Sequence, residues 1–187
     1  MEITYPDGGD HHVAVLATSS SRLSYFRIEF YRSQPAFPSY IQPMFSKACE
    51  YAIRATVYLA QKTSDEERLG VEAIAEGIDA PKAFVAKILQ QLNKASVIRS
   101  IKGPSGGFFL TESLKNQPVG NVLVAFAEDE RLTNCVMGLH LCNDKKPCPL
   151  HLQYKDIKHQ LVQLFKEKKI RELADNMKRT RLFIRHQ

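Results

Sequence analysis

Apolar residues recur along this chain with a period that changes from segment to segment, and each change marks an element. Ser46 is suited to cap a helix. After it, Cys49, Ala52, Ile53, Thr56, Val57 and Ala60 return at steps of three and four, which gives a helix with one apolar face. Glu50 and Arg54 fall on another side, spaced for an ion pair one turn apart. Beyond the polar loop "TSDEERLG", Val71, Ile74 and Ala75 predict a short helix ending near Gly77, and Pro81 suits the first turn of the next. That helix should bury Phe84, Val85, Ile88, Leu89 and Leu92 and turn Lys82, Lys87, Gln90, Gln91 and Lys94 outward. Two helices joined by a turn, the second basic, make a helix-turn-helix pattern, although a plain αα-hairpin has the same outline.

The period then shortens to two. Val97, Arg99 and Ile101 alternate, "GPSGG" follows, and "FFLT" is strand-prone, which predicts a two-stranded wing. Gly103, Gly106 and Gly107 permit a tight backbone, and Lys102 beside them can reach a phosphate or the minor groove. A nucleotide-cradling loop is the competing reading, but the order G-x-x-x-x-G-K-[ST] is missing and no helix opens after it. Val119 to Glu128 reads as a short amphipathic helix carrying Val122, Leu123 and Phe126. Further on, Leu150, Tyr154, Ile157, Leu161 and Leu164 step by 4, 3, 4 and 3, a heptad seam. Lys166 to Lys169 interrupts it, and Ile170, Leu173 and Met177 resume in a new phase. A seam of this length can simply cover a core. Behind a basic winged helix it suggests a dimer, because paired half-sites need two-fold symmetry. The expected fold is mainly α with a small β-wing: a winged helix-turn-helix domain over residues 44–128 and long dimerisation helices over 152–178.

Composition sharpens this division. With 187 residues the chain has room for one cored domain and appendages. Residues 1–43 carry Pro6, Pro35, Pro38 and Pro43 and a "TSSSR" run without sustained period, as expected of a disordered arm or of a stretch upstream of a natural start at Met44. Residues 179–187 read as a basic tail. No apolar run approaches a membrane span, and "VAVLA" is short for a secretory signal, so a cytoplasmic location and no membrane partner are expected. The net charge of +6 favours a polyanionic partner, and its placement matters more. Between Ile78 and Lys102 the lone acid Asp79 faces Lys82, Lys87, Lys94, Arg99 and Lys102. Double-stranded DNA is the partner this suits. Pro81, Lys82, Ala83, Lys87 and Gln90 would enter the major groove, with Lys102, Gly103, Pro104, Ser105, Gly106 and Gly107 gripping backbone or minor groove.

The segment between the winged-helix pattern and the seam, residues 129–151, carries different chemistry. "NCVMGLHLCNDKKPCPLH" holds three of the four cysteines, Cys135, Cys142 and Cys148, with six and five residues between them. Asn143, Asp144, Lys145, Lys146 and Pro147 mark a surface loop, so these are not incidental core residues. Thiolates are soft ligands for zinc or for iron–sulfur clusters, and the absence of a close C-x2–4-C pair favours a cluster. Exposed cysteines beside lysines also suit a thiol–disulfide switch. Cys49, on the apolar face of the first helix, reads as core. No nucleophile–base constellation or cofactor motif points to an enzyme.

Together these features resemble a known family. From Met44 to about Met177 the chain is similar to the bacterial winged-helix regulators of the iron–sulfur-regulator (IscR) and nitric-oxide-sensing (NsrR) type. The resemblance rests on "MFSKACEYAIRATVYLA", on "IAEGIDAPKAFVAKILQQLNKASVIRSIKGPSGGFFL", and on the cysteine segment and long helix that follow in the same order. It implies a homodimeric, sequence-specific transcriptional regulator with an iron–sulfur cluster, [2Fe–2S] or alternatively [4Fe–4S], on three cysteines and a fourth, different ligand. The first cysteine gap is one residue longer than the family's commoner spacing. In the IscR branch a histidine three residues after the last cysteine completes the set, which here is His151. In the NsrR branch an acidic residue of the first helix does so across the dimer, and Glu50 of the partner subunit would hold that place. Two alternatives remain: the same regulator sensing through bare thiols, or a redox or metal-handling protein whose basic surface binds another protein.

Overall fold

The computed structural model describes residues 44–180. The expectations for residues 1–43, and for the tail beyond Thr180, lie outside the described residues.

The first helix, α1 (Lys47–Lys62), is the wall on which the rest is built. Ser46 caps it, its hydroxyl accepting from the Cys49 amide at 3.2 Å. Its small and branched apolar side, Ala52, Ala55 and Leu59, is fully buried. Glu50 takes Lys47 as its partner at 2.8 Å, one turn back, rather than Arg54, whose guanidinium lies over the Tyr51 ring. Against this wall pack α2 (Val71–Gly77) and α3 (Lys82–Lys94), which form the helix-turn-helix. Asp79 adopts a left-handed φ of 52° in the turn between them. Val85, Ile88, Leu89 and Leu92 of α3 enter the core as their spacing predicts. Phe84 does not: it stays on the surface, its ring edge-on to Tyr51 at 5.7 Å. Helical period alone counts it apolar, but it sits at the margin of the buried stripe.

The ribbon forms as expected, in a shorter register. β1 (Arg99–Ile101) pairs antiparallel with β2 (Gly107–Phe109), with Ser100 opposite Phe108. Val97 and Ile98 are core residues ahead of the strand. Leu69 bridges Phe108 from the far side, exchanging both backbone hydrogen bonds at 2.8 and 3.1 Å, so the loop after α1 steadies the wing. Two glycines fit the tip. Gly103 has φ 116°, and a Cβ at Gly106 would stand 2.3 Å from the Ile101 carbonyl oxygen.

After the wing the chain departs further from its periodic reading. Thr111 caps a single turn, α4 (Glu112–Lys115), its hydroxyl accepting from Leu114 N–H. The helix expected over 119–128 is cut to α5 (Gly120–Ala125), because Ala127 turns left-handed at φ 53° and a 3-10 turn, Asp129–Leu132, follows. The heptad seam occupies α6 (His151–Glu167). The change of phase at Ile170 then has a physical cause: a break at Lys168–Lys169 redirects the chain into α7 (Ile170–Thr180). α7 packs back on α1, with Ile170 and Ala174 buried and Gln61 donating to the Ala174 carbonyl at 3.2 Å. Residues 152–178 therefore fall into two helices with different surroundings. α6 carries the exposed seam, and α7 closes the core of its own chain.

The far end of α1 is fastened to the wing by Thr63. Its buried hydroxyl donates to the Leu59 carbonyl at 2.7 Å and accepts from the Leu110 amide at 3.1 Å, while Lys115 Nζ donates to the Thr63 carbonyl at 2.8 Å. Thr63→Val should strand the buried Leu110 amide and cost about 1–3 kcal/mol in chemical denaturation. An unchanged denaturation midpoint would show that this link carries no stability.

Candidate metal centre and nucleic-acid interface

A short, polar loop brings the three cysteines together between the 3-10 turn and α6. The Sγ atoms of Cys135, Cys142 and Cys148 all lie within 4.8 Å of one another and are half-buried. The Sγ atoms of Cys135 and Cys148 are 3.7 Å apart. The loop closes because its own side chains stand in for secondary structure. Asn143 Oδ1 accepts from the Lys145 and Lys146 amides at 2.9 and 3.0 Å, an Asx turn. The Cys148 amide points at Cys142 Sγ at 3.4 Å, and the His151 amide donates to the Cys148 carbonyl at 2.9 Å as α6 begins.

His151 is not the surface histidine that a helix start would suggest. Its residue exposure is 7 %, with Nδ1 3.2 Å from Cys142 Sγ and Nε2 3.0 Å from Asp144 Oδ1. Lys155, on the next turn of α6, donates to the same Asp144 oxygen at 2.8 Å. The Asp144 carboxyl is held below the usual carboxylate range, first by Lys155 and then by His151. Glu50 belongs to a different neighbourhood, its carboxylate on Lys47 of its own helix.

Sulfurs this close cannot all carry full charge in isolation, and the thiols divide accordingly. The Cys135 thiol is pulled down to about 7 by the Leu139 amide above all, helped by the amide of Met137 and by the neighbouring thiols. For Cys142 the Cys148 amide pulls downward, but desolvation and sharing with Cys148 and Cys135 outweigh it, and its pKa ends above the ordinary thiol value. Cys49 lies apart, fully buried, and burial with the nearby Glu128 carboxylate pushes it up to about 12. It is core, as its position on the apolar face predicts.

A second surface lies on α3 and the wing. Pro81, Lys82, Ala83, Lys87 and Gln90 are all exposed, as are Lys102, Gly103, Pro104 and Ser105, with Gly106 and Gly107 half-exposed. Gln90 shares one cleft of about 500 Å³ with Lys102, Gly103, Gly106 and Gly107. Lys94 of the basic helix face lines it as well, with Asn93 of α3 and Ser100 of the wing, two residues not singled out from the sequence. Lys82 is engaged by Glu72 of α2, which lowers the Glu72 pKa. Arg68 is another residue the sequence concealed. Its guanidinium lies 5.5 Å from the Phe109 ring centre and donates to the Ser105 carbonyl at the wing tip at 3.5 Å. In "DEERLG" it reads as one more charge in a solvated loop.

The second helix of a helix-turn-helix and a glycine-tipped ribbon, side by side on one basic face, define a winged-helix DNA-binding protein. The chain belongs to the Rrf2 family of iron-dependent transcriptional regulators, whose family model matches residues 45–176. It is 30 % identical over 142 residues to an Aquifex aeolicus protein assigned as an HTH-type transcriptional regulator, covering 75 % of this chain and 96 % of that one. With the HTH-type transcriptional regulator IscR of Pectobacterium carotovorum it shares 25 % identity over 126 residues, 67 % of this chain and 76 % of the relative. The structure of CymR, the global cysteine regulator of B. subtilis, superimposes with a TM-score of 0.56 at 18 % identity, over 70 % of this chain and 95 % of that one. That last likeness supports the winged-helix fold. Among the described residues no helix is long and apolar enough to cross a membrane.

The thiols differ enough to be told apart by alkylation. Cys135 should react with iodoacetamide with a midpoint near pH 7, because the thiolate is the nucleophile, and Cys49 should stay unlabelled until the protein unfolds. Peptide mass spectrometry reads both. Equal labelling of Cys49 and Cys135 in the folded protein would contradict this assignment.

Proposed function

We propose that this protein is a homodimeric, sequence-specific DNA-binding regulator whose affinity for its operator is set by an iron–sulfur cluster on Cys135, Cys142 and Cys148, with His151 as the fourth ligand. The observation that carries the reading is the meeting of three half-buried thiols within 4.8 Å, with the His151 Nδ1 against one of them. The donor set fits the group. The thiols are soft, one is ionised near neutrality, and the loop that holds them is pliable enough to adjust. A bound cluster would supply a redox-active, iron-dependent centre; [2Fe–2S] is the form we assign, with [4Fe–4S] the alternative. His151 is preferred to Glu50 of the partner subunit because it already stands at the thiols.

The route from these residues to DNA runs through side-chain packing. Ligation would tie Cys135, three residues beyond the 3-10 turn, to Cys148, three residues ahead of α6. Leu132 of that turn packs with Phe45, Cys49 and Leu123, and Leu161 and Phe165 of α6 lie against the same cluster. α5 in turn holds α3, where Gln91 Nε2 donates to the Ala125 carbonyl at 2.8 Å. Fixing or freeing the loop therefore acts on the elements that aim the recognition helix. For this to regulate, the two states must differ in affinity for DNA. At the interface, the exposed Lys82–Glu72 pair contributes little and yields readily to a phosphate.

The dimer is supported by apolar surface that stands exposed among the described residues. Leu150, Ile157 and Leu164 of the seam are each about half exposed, at 49 %, 50 % and 54 %, and Leu152 reaches 73 %. Val136, Met137, Leu139 and Leu141 extend the patch over the cysteine loop. A second copy, meeting the first along α6, would bury both. Ile157→Glu should convert the dimer to a monomer in sedimentation without loss of helix content; a wild-type that sediments as a monomer at micromolar concentration would overturn this arrangement.

A second reading has its own observation. Cys135 and Cys148 stand 3.7 Å apart with Cys135 readily ionised, so a peroxide could take two electrons and two protons from the pair as the disulfide forms. Protein purified without oxygen separates the two readings. The cluster reading expects visible absorption, iron and acid-labile sulfide, all lost when Cys135, Cys142 or Cys148 is replaced by alanine. Colourless, iron-free protein after anaerobic reconstitution would sink it and leave the thiol switch.

A further inference from the structure

The hydrogen bonds around His151 say more than that a histidine is near the thiols. A carboxylate can only accept, so Asp144 Oδ1 at 3.0 Å from Nε2 requires the imidazole proton to sit on Nε2. In the neutral ring the lone pair is then on Nδ1, the atom that faces Cys142 Sγ at 3.2 Å. The ring has little freedom to turn otherwise, because its side chain is 6 % exposed and its backbone is fixed by the start of α6. Asp144 itself is held from two sides. Lys155, four residues after His151 and hence on the same face of α6, grips the same oxygen. The Asx turn at Asn143 fixes the backbone beside it.

We propose that Asp144, braced by Lys155, is the positioning residue that presents the His151 Nδ1 lone pair to the iron of the cluster and so selects His151, rather than Glu50 of the partner subunit, as the fourth ligand. The proposal rests on the cluster reading above. Histidines that bind metals through one ring nitrogen commonly give the other N–H to a carboxylate, which sets both tautomer and orientation. Here the carboxylate comes from the loop between the second and third cysteines. The same segment that converges the thiols therefore also aims the histidine. Asp144 is largely exposed, with 69 % of its side chain in solvent, so it can be replaced without opening a cavity.

The test uses the full chain in wild-type, Asp144→Ala, Lys155→Ala and His151→Gln forms, purified without oxygen. In the metal-free, reduced protein at about pH 8, above the ordinary imidazole range, long-range proton–nitrogen correlation spectra report the tautomer. The signal missing from His151→Gln identifies His151. Wild-type should show the Nε2–H form, and Asp144→Ala should lose that preference. After reconstitution and one-electron reduction, pulsed electron-spin measurements should detect a directly bonded nitrogen in wild-type, absent in His151→Gln and weakened or heterogeneous in Asp144→Ala. Iron loss to a chelator should be faster in Asp144→Ala by about 10- to 100-fold, with Lys155→Ala between the two. Iron without nitrogen coupling in wild-type would overturn the proposal while leaving the cluster in place. Wild-type tautomer, coupling and iron retention in Asp144→Ala would overturn it as well. Failure of every form to take up iron would remove the cluster reading itself.

Discussion

The structure depends on α1 being held at both ends. Its first turn receives a buried carboxylate: Glu128 Oε2 accepts from the Ser46 amide at 2.9 Å, and Arg131 approaches the same oxygen at 3.4 Å. A carboxylate at this end also satisfies the helix dipole. Its last turn is tied to the wing through Thr63 and Leu110. Between these fastenings its apolar side is the wall against which α2, α3, α5 and α7 pack. One end of this rod therefore meets the 3-10 turn that leads into the cysteine loop, and the other meets the wing. A well-packed helix transmits displacement rather than absorbing it.

The second constraint is charge at the cysteine loop. Three sulfurs within 4.8 Å repel if all are ionised, so the bare site shares protons unevenly, with Cys135 low and Cys142 high. A cationic centre removes that conflict, since all three can then be thiolates. The loop holds its cysteines on turns rather than on regular structure. Its apolar residues point outward, its turns are made by Asn143 and by backbone carbonyls, and its one buried side chain is the histidine at its end.

Much of this was legible in the sequence, for reasons that differ by element. The core positions of α1 and α3 follow from period, and the wing follows from alternation broken by glycines. The three cysteines stand out because nothing else in a polar loop needs sulfur. Period says which side of a helix is apolar, however, and not what will cover it. Period alone thus counts Phe84 inside, and it sets Ile170 and Leu173 on an apolar face in a new phase without saying that α7 folds back on α1. His151 is visible as a candidate ligand, but its ring partner is Asp144, seven residues earlier in a stretch that reads as solvent-facing. Glu128 looked like the polar end of a helix, and only the three-dimensional approach of Ser46, 82 residues away, makes it a cap. Arg68 was hidden for the same reason, since its partners Ser105 and Phe109 are far along the chain.

The central claim is that the state of Cys135, Cys142 and Cys148 sets the affinity of a winged helix for DNA. The most direct measurement compares iron-loaded and iron-stripped protein, both kept without oxygen, on one operator fragment selected from random DNA at fixed salt. Typical coupling energies predict dissociation constants that differ by about 5- to 150-fold between the two forms. Equal affinity in both forms, with the protein dimeric and bound specifically, would contradict the account.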